Sequence, residues 1–171
     1  EDLRKQIDAI DREIIERLNQ RVLLASKIGK IKTELGADAY VPVREEEVFR
    51  KLELIQTKGH LDSRAIRSIY REIISASIAL EKPLVIGYLG PEATFTQQAA
   101  LKNFGSSVDY HPCNSIADVF HQVEKGEADY GVVPVENSTE GAVFHSLDML
   151  AETELKITAQ VYLPIEHCLL S

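Results

Sequence analysis

A chain of 171 residues is long enough for one large domain or two small ones, and with 44% hydrophobic and 27% charged residues it can bury a real core, which excludes a mostly disordered polypeptide. No window approaches the roughly 18 to 20 unbroken apolar residues of a membrane-spanning helix, and the amino end EDLRKQIDAIDREI is charged rather than signal-like, so a cytoplasmic chain with no membrane partner is expected. The net charge of −8 divides sharply: residues 1–82 hold 16 basic and 15 acidic residues, a balance of +1, whereas residues 83–171 hold 3 and 12, a balance of −9.

All nine arginines lie in the first part. Two modules are therefore expected, one at 1–82 and one at 83–171, with the first suited to anions because guanidinium binds carboxylate or phosphate through paired hydrogen bonds. Nucleic acid is excluded as a partner: acidic residues interleave with the bases, and the acidic second module would repel a polyanion. The two cysteines, Cys113 and Cys168, are too few and too far apart for a disulfide framework and are expected to be buried thiols.

From Leu3 the apolar positions Ile7, Ile10, Ile14, Leu18, Ala25, Ile28 and Leu35 recur mostly at helical spacings, which predicts one helix of about 33 residues, roughly 50 Å long, weakened only at Gly29 and stopped at Gly36. Pro42 suits the first turn of a second helix, with Glu45, Glu46 and Glu47 at its positive end, finishing before Gly59. Asp62 reads as the N-cap of a third, whose stripe Ile66, Ile69, Tyr70, Ile73, Ile74 and Ile78 ends before Pro83. Three helices this unequal leave apolar surface that one copy cannot cover, and dimerisation is the remedy. The cations argue the same way. Arg4 and Arg21 are 17 residues apart, roughly 25 Å, too far for one small ligand, whereas Arg21 and Lys32 are 11 apart and nearly on one face. An Arg4 serving such a site has to be a partner's.

The motifs LRxxID (Leu3–Asp8), IIERLNQR ending at Arg21, IGKIK (Ile28–Lys32), PVREEEV (Pro42–Val48) and IISASIALE (Ile73–Glu81) together resemble the all-helical class of chorismate mutase. The resemblance implies an intertwined homodimer in which each site takes Arg4 from the other subunit. It also implies the rearrangement of chorismate to prephenate without cofactor or metal. By analogy Arg21 and the partner's Arg4 hold the substrate carboxylates and Ser77 adds a hydrogen bond. Lys32 and Glu81 match positions that donate to the breaking ether oxygen, Glu45 matches the acceptor for the substrate hydroxyl, and Arg44 matches a nearby support. The chain departs from the family in carrying Val41 where an aspartate is common, and Glu81 where others have glutamine. Any one of these charges alone would by default decorate a solvated face, and the argument rests on the whole set in register.

Beyond Pro83, LVIGYLG, VDYHP, YGVVPV and ITAQVYLPIEHCLL read as strands, and TQQAALKNFG, SIADVFHQVEKG and GAVFHSLDMLAE as helices. The alternation predicts a mainly parallel sheet, with functional loops GPEATF and PVENSTEG at the carboxyl ends of strands. Neither loop is a nucleotide motif. GPEATFTQQAA (Gly90–Ala100), VPVENSTEGAV (Val133–Val143) and IEHCLL (Ile165–Leu170) resemble prephenate dehydratase, with Ala93 where glycine is common. The resemblance implies the first lobe of a periplasmic-binding-protein-like fold, with Thr94, Glu136, Asn137 and Ser138 lining a prephenate cleft; the plainer alternative has Asn137 and Ser138 capping the next helix. A Thr-Arg-Phe catalytic motif and a regulatory domain, expected further along, are not encoded in these residues. The expectation is a piece of a longer bifunctional chorismate mutase/prephenate dehydratase whose dehydratase part is inactive in this chain.

Two rival functions are weighed against this one. One is a binding module for a small carboxylate or aromatic amino acid, dimerised by its helices. The other, a coiled coil, fails because the apolar spacing drifts and arginines fall on the seam. His111, Cys113, His167 and Cys168 lack metal-finger spacing, so a structural role is expected for them.

Overall fold

The computed structural model describes residues 2–36, 41–55 and 59–166. The chain divides into two compact units, Glu1–Pro83 and Leu84–Ser171.

The first unit is three helices, α1 (Asp2–Glu34), α2 (Pro42–Ile55) and α3 (Ser63–Glu81). The 33 residues of α1 span about 50 Å. Its last turn closes with Leu35 N–H donating to the carbonyls of Ile31 and Lys32, and Gly36 follows at φ +66°, a left-handed conformation that needs no Cβ relief in glycine. Asp62 caps α3, its side chain accepting from Ala65 N–H at 2.7 Å. Both α1 and α2 lie against α3. Very little of this packing is apolar and closed. Phe49, 1% exposed, is the one large hydrophobic residue fully buried among the described residues of this unit, whereas Leu3, Ile7, Ile10, Ile14 and Ile28 of the α1 stripe are each about half exposed or more.

The second unit is a three-stranded parallel sheet of order β2-β1-β3, from β1 (Val85–Leu89), β2 (Asp109–Cys113) and β3 (Tyr130–Val132). Helices α4 (Phe95–Phe104) and α5 (Ile116–Glu124) connect the strands and cover β1 and β3, with Leu84, Ile86, Tyr88, Ala100, Phe104, Val119, Phe120 and Ala128 as the core. The central strand is buried at successive positions, as the run LVIGYL requires of a strand covered on both faces. A short antiparallel hairpin, β4 (Glu136–Asn137) and β5 (Gly141–Ala142), precedes α6 (Phe144–Glu152).

Three expectations need correction here. Residues 157–166 form no strand, because no described segment pairs with them; Lys102 Nζ donates instead to the Tyr162 carbonyl at 2.5 Å. Gly141 and Ala142 belong to β5, so the last helix starts at Phe144. Its N-cap is Val143, without a side-chain bond, and Asn137 Oδ1 accepts from Thr139 N–H, so neither Asn137 nor Ser138 caps it. His167 and Cys168 lie outside the described residues; Cys113 is buried. Among the described residues no helix is long and apolar enough to cross a membrane, and no group of three His, Cys, Asp or Glu could hold a metal.

Candidate active site

In the helical unit, four of the seven residues singled out from the sequence meet across α1 and α3. Arg21 Nη1 donates to Ser77 Oγ at 2.9 Å, and the Ser77 hydroxyl in turn donates to the Ile73 carbonyl at 2.7 Å, which fixes its orientation within the helix. One turn on, Glu81 leans against Gly29 of α1. A Cβ at Gly29 would lie 2.6 Å from Glu81 Cδ, so only glycine lets the two helices hold the carboxyl there. Burial holds that carboxyl above its ordinary range, while the Lys32 ammonium pulls the other way.

Glu45 sits on α2 and is 9% exposed, in an ion pair with Arg71 of α3, itself 15% exposed. Its Oε1 accepts from Arg71 Nη1; its Oε2 is buried and accepts no hydrogen bond from any described residue. Burial raises this carboxyl too, against the charge and hydrogen bond of Arg71. Below the pair, the Phe49 ring stacks under the guanidiniums of Arg67 and Arg71 at 4.5 and 4.9 Å, and Arg67 bridges Glu46 and Glu53 at 3.1 Å.

Two residues stand apart from this group. Arg44 points outward and pairs with Glu47 at 2.7 Å. Arg4 is exposed near the start of α1, about 25 Å along the helix from Arg21. Sequence reasoning missed Arg71 and the role of Gly29. The signals were present: Arg67, Arg71 and Ser75 share one face of α3 beside the apolar positions Tyr70 and Ile74, and Gly29 is a lone glycine inside a long helix.

In the α/β unit, Thr94 caps α4, accepting from Gln97 N–H and donating to the Leu89 carbonyl, both at 3.3 Å. Ala93 before it has φ +64°. Glu136, Asn137 and Ser138 are exposed on the β4–β5 hairpin and make no hydrogen bond to Thr94. The topology nevertheless relates the two loops: β1 leads to β2 on one side and the crossover then returns to β3 on the other, so the loops after β1 and β3 flank a switch point. A cleft of about 460 Å³ opens one strand away, lined by Gly90, Pro91, Glu92, Pro112, Cys113 and Asn114.

Residues 3–82 match the family model for chorismate mutase type II, and residues 86–171 match the model for prephenate dehydratase. The chain belongs to the prephenate dehydratase family. Ahead of the prephenate dehydratase part it carries a type II chorismate mutase domain. The bifunctional chorismate mutase/prephenate dehydratase of Aquifex aeolicus is 50% identical over 173 residues, covering 99% of this chain and 48% of its own length. That of Neisseria gonorrhoeae is 47% identical over 168 residues, covering 98% and 45%. The chain thus spans about half the length of the curated relatives it matches. The solved prephenate dehydratase of Streptococcus mutans is 38% identical, with a TM-score of 0.39 over 40% of this chain and 36% of that one.

Proposed function

We propose that residues 1–82 form a chorismate mutase that converts chorismate to prephenate for phenylalanine synthesis, as an intertwined homodimer. The observation that carries the reading is the Arg21–Ser77 pair beside Glu81 and Lys32, four residues drawn from two helices onto one patch. The rearrangement breaks a carbon–oxygen bond and forms a carbon–carbon bond in one step, so the protein contributes position and charge. Arg21 and the partner's Arg4 bind the two carboxylates, and the Ser77 hydroxyl turns from the Ile73 carbonyl to donate to one of them. Lys32 and a protonated Glu81 donate to the ether oxygen as it gains negative charge. Glu45 accepts from the substrate hydroxyl, and Arg44, its neighbour on α2, is a conformational and electrostatic support nearby. Arg4 cannot reach Arg21 along its own helix, and the half-exposed α1 stripe is the surface a second copy would cover.

Residues 83–171 are proposed as the first lobe of a periplasmic-binding-protein-like dehydratase, with Thr94, Glu136, Asn137 and Ser138 contributing to a prephenate cleft at the β1/β3 switch point. Dehydration expels a ring hydroxyl with the carboxylate and needs a proton donor. No residue of these loops is assigned that role.

The test is complementation. Arg4→Ala and Arg21→Ala should each lose roughly 100-fold or more in turnover of chorismate, followed by its ultraviolet absorbance. Mixed, they should regain activity, because a heterodimer has one site with both arginines. No recovery after confirmed subunit exchange would overturn the shared site, and a folded wild-type dimer without turnover would favour the binding-module reading.

A further inference from the structure

Glu45 and Arg71 form the most deeply buried ion pair among the described residues, and only one of the carboxylate's two oxygens is used in it. A buried carboxylate oxygen without a donor is costly. Replacing such a pair by apolar residues is often neutral for stability or better, so the pair is weak as a stabilising device. Its placement suggests another use. Arg71 and Ser77 are six residues apart on α3, about 9 Å of rise, so the pair lies within two turns of Ser77 along the same helix.

The charges around Glu45 are few. From α3 it faces Arg71 and Arg67, and from its own helix Glu46. Arg67 is already committed to Glu46 and Glu53, and the Phe49 ring below holds Arg71 in the plane of its contact. Burial pushes the Glu45 carboxyl up, and Arg71 is the first of the groups that oppose this.

We propose that Arg71 is a positioning residue of the mutase site: its guanidinium fixes Glu45 Oε1, and so presents Oε2 as a buried, ionised acceptor for the substrate hydroxyl. The inference rests on the chorismate mutase reading and adds to it a residue that touches no substrate. In an Arg71→Met chain Glu45 loses its counter-charge, its carboxyl protonates more readily, and a group that should accept becomes one that donates.

The experiment measures kcat/KM for chorismate from pH 6 to 9 in wild type, Arg71→Met, Arg71→Lys, Glu45→Gln and the double Arg71→Met/Glu45→Gln chain. Dimer and helix content are checked for each. Arg71→Met should fall roughly 10- to 100-fold at pH 7, the scale of a lost hydrogen bond to a charged acceptor. The ratio of variant to wild type should climb as pH rises and Glu45 ionises, any shared titration cancelling in that ratio. Arg71→Lys, which keeps the charge, should show a smaller loss and no climb. The double variant should be no worse than Glu45→Gln. A pH-independent ratio for Arg71→Met, or additive losses in the double variant, would overturn the positioning role, and should Arg71→Met not fold, so would a loss in Arg71→Lys larger than that of Glu45→Gln. An inactive wild type would instead overturn the function it rests on.

Discussion

The two units solve the burial problem in different ways. In the α/β unit, two helices and a three-stranded sheet close over a core running from Leu84 to Ala128, and the middle of the central strand, Ile86 to Tyr88, is buried. In the helical unit the longest element described has its apolar stripe open, and among the described residues the buried positions are Gly29, Glu45, Phe49, Ser75 and Ser77. Its interior is thus assembled around polar and charged groups. The contrast teaches where the proposed chemistry of each unit sits: in the sheet, on loops outside a closed core; in the helices, among buried polar groups beside an open apolar stripe.

The largest expected effect breaks that asymmetry. Ile14→Glu puts a carboxylate on the α1 stripe, and in a dimer it would be buried without a partner, at a cost of roughly 3–5 kcal/mol. The helical unit should lose its cooperative thermal transition and its mutase activity, while the α/β unit keeps its own transition by calorimetry. If both transitions survive unchanged, the helical unit is complete as a single copy.

A smaller effect concerns protons in the polar interior. Because an ionised carboxylate cannot donate, mutase activity should fall as pH rises through the raised Glu81 titration. Glu81→Gln should flatten the profile and keep activity at alkaline pH. The native state holds this proton to higher pH than the unfolded chain. The Glu81 contribution to stability is therefore fully present below the ordinary value of 4.5 and is lost as pH rises through the raised one. Denaturant midpoints of wild type and Glu81→Gln should diverge in that direction. A wild-type activity profile level from pH 5 to 8 would remove Glu81 from proton donation.

The smallest lies in the α/β unit. Ala93 is held at φ +64°, which costs a residue with a Cβ about 1 kcal/mol, partly offset by the greater freedom glycine has when unfolded. Ala93→Gly should raise the α/β transition by a few degrees and leave the helical one in place. A rise in both would mean that the units unfold together.

The helices were legible in the sequence because their signals are local. Asp62, Pro42 and Gly36 mark ends by capping chemistry and φ preference, which act within a turn. The strand expected at 157–166 failed for the opposite reason: ITAQVYLPIE has the right alternation, but a strand exists only with a ladder partner, and periodicity does not record whether one is there. Within the site, Arg21 and Ser77 could be read as a pair from a family pattern, and they meet. The position of Arg71 on the polar face of α3 was visible, but its pairing with Glu45 was not, because no family pattern joins the two and the contact depends on how α2 crosses α3.

Gly29 sets a limit on how this protein can be made more robust. Replacing glycine by alanine inside a helix ordinarily gains about 1 kcal/mol, and in a 33-residue helix it is the first change an engineer would try. Here the added methyl would occupy the space of the Glu81 carboxyl, and that flexible side chain would yield before the helices did. The fold would gain and the proposed site would lose the Glu81 carboxyl from its place beside α1. A heat-resistant version of this chain therefore has to find its gains elsewhere.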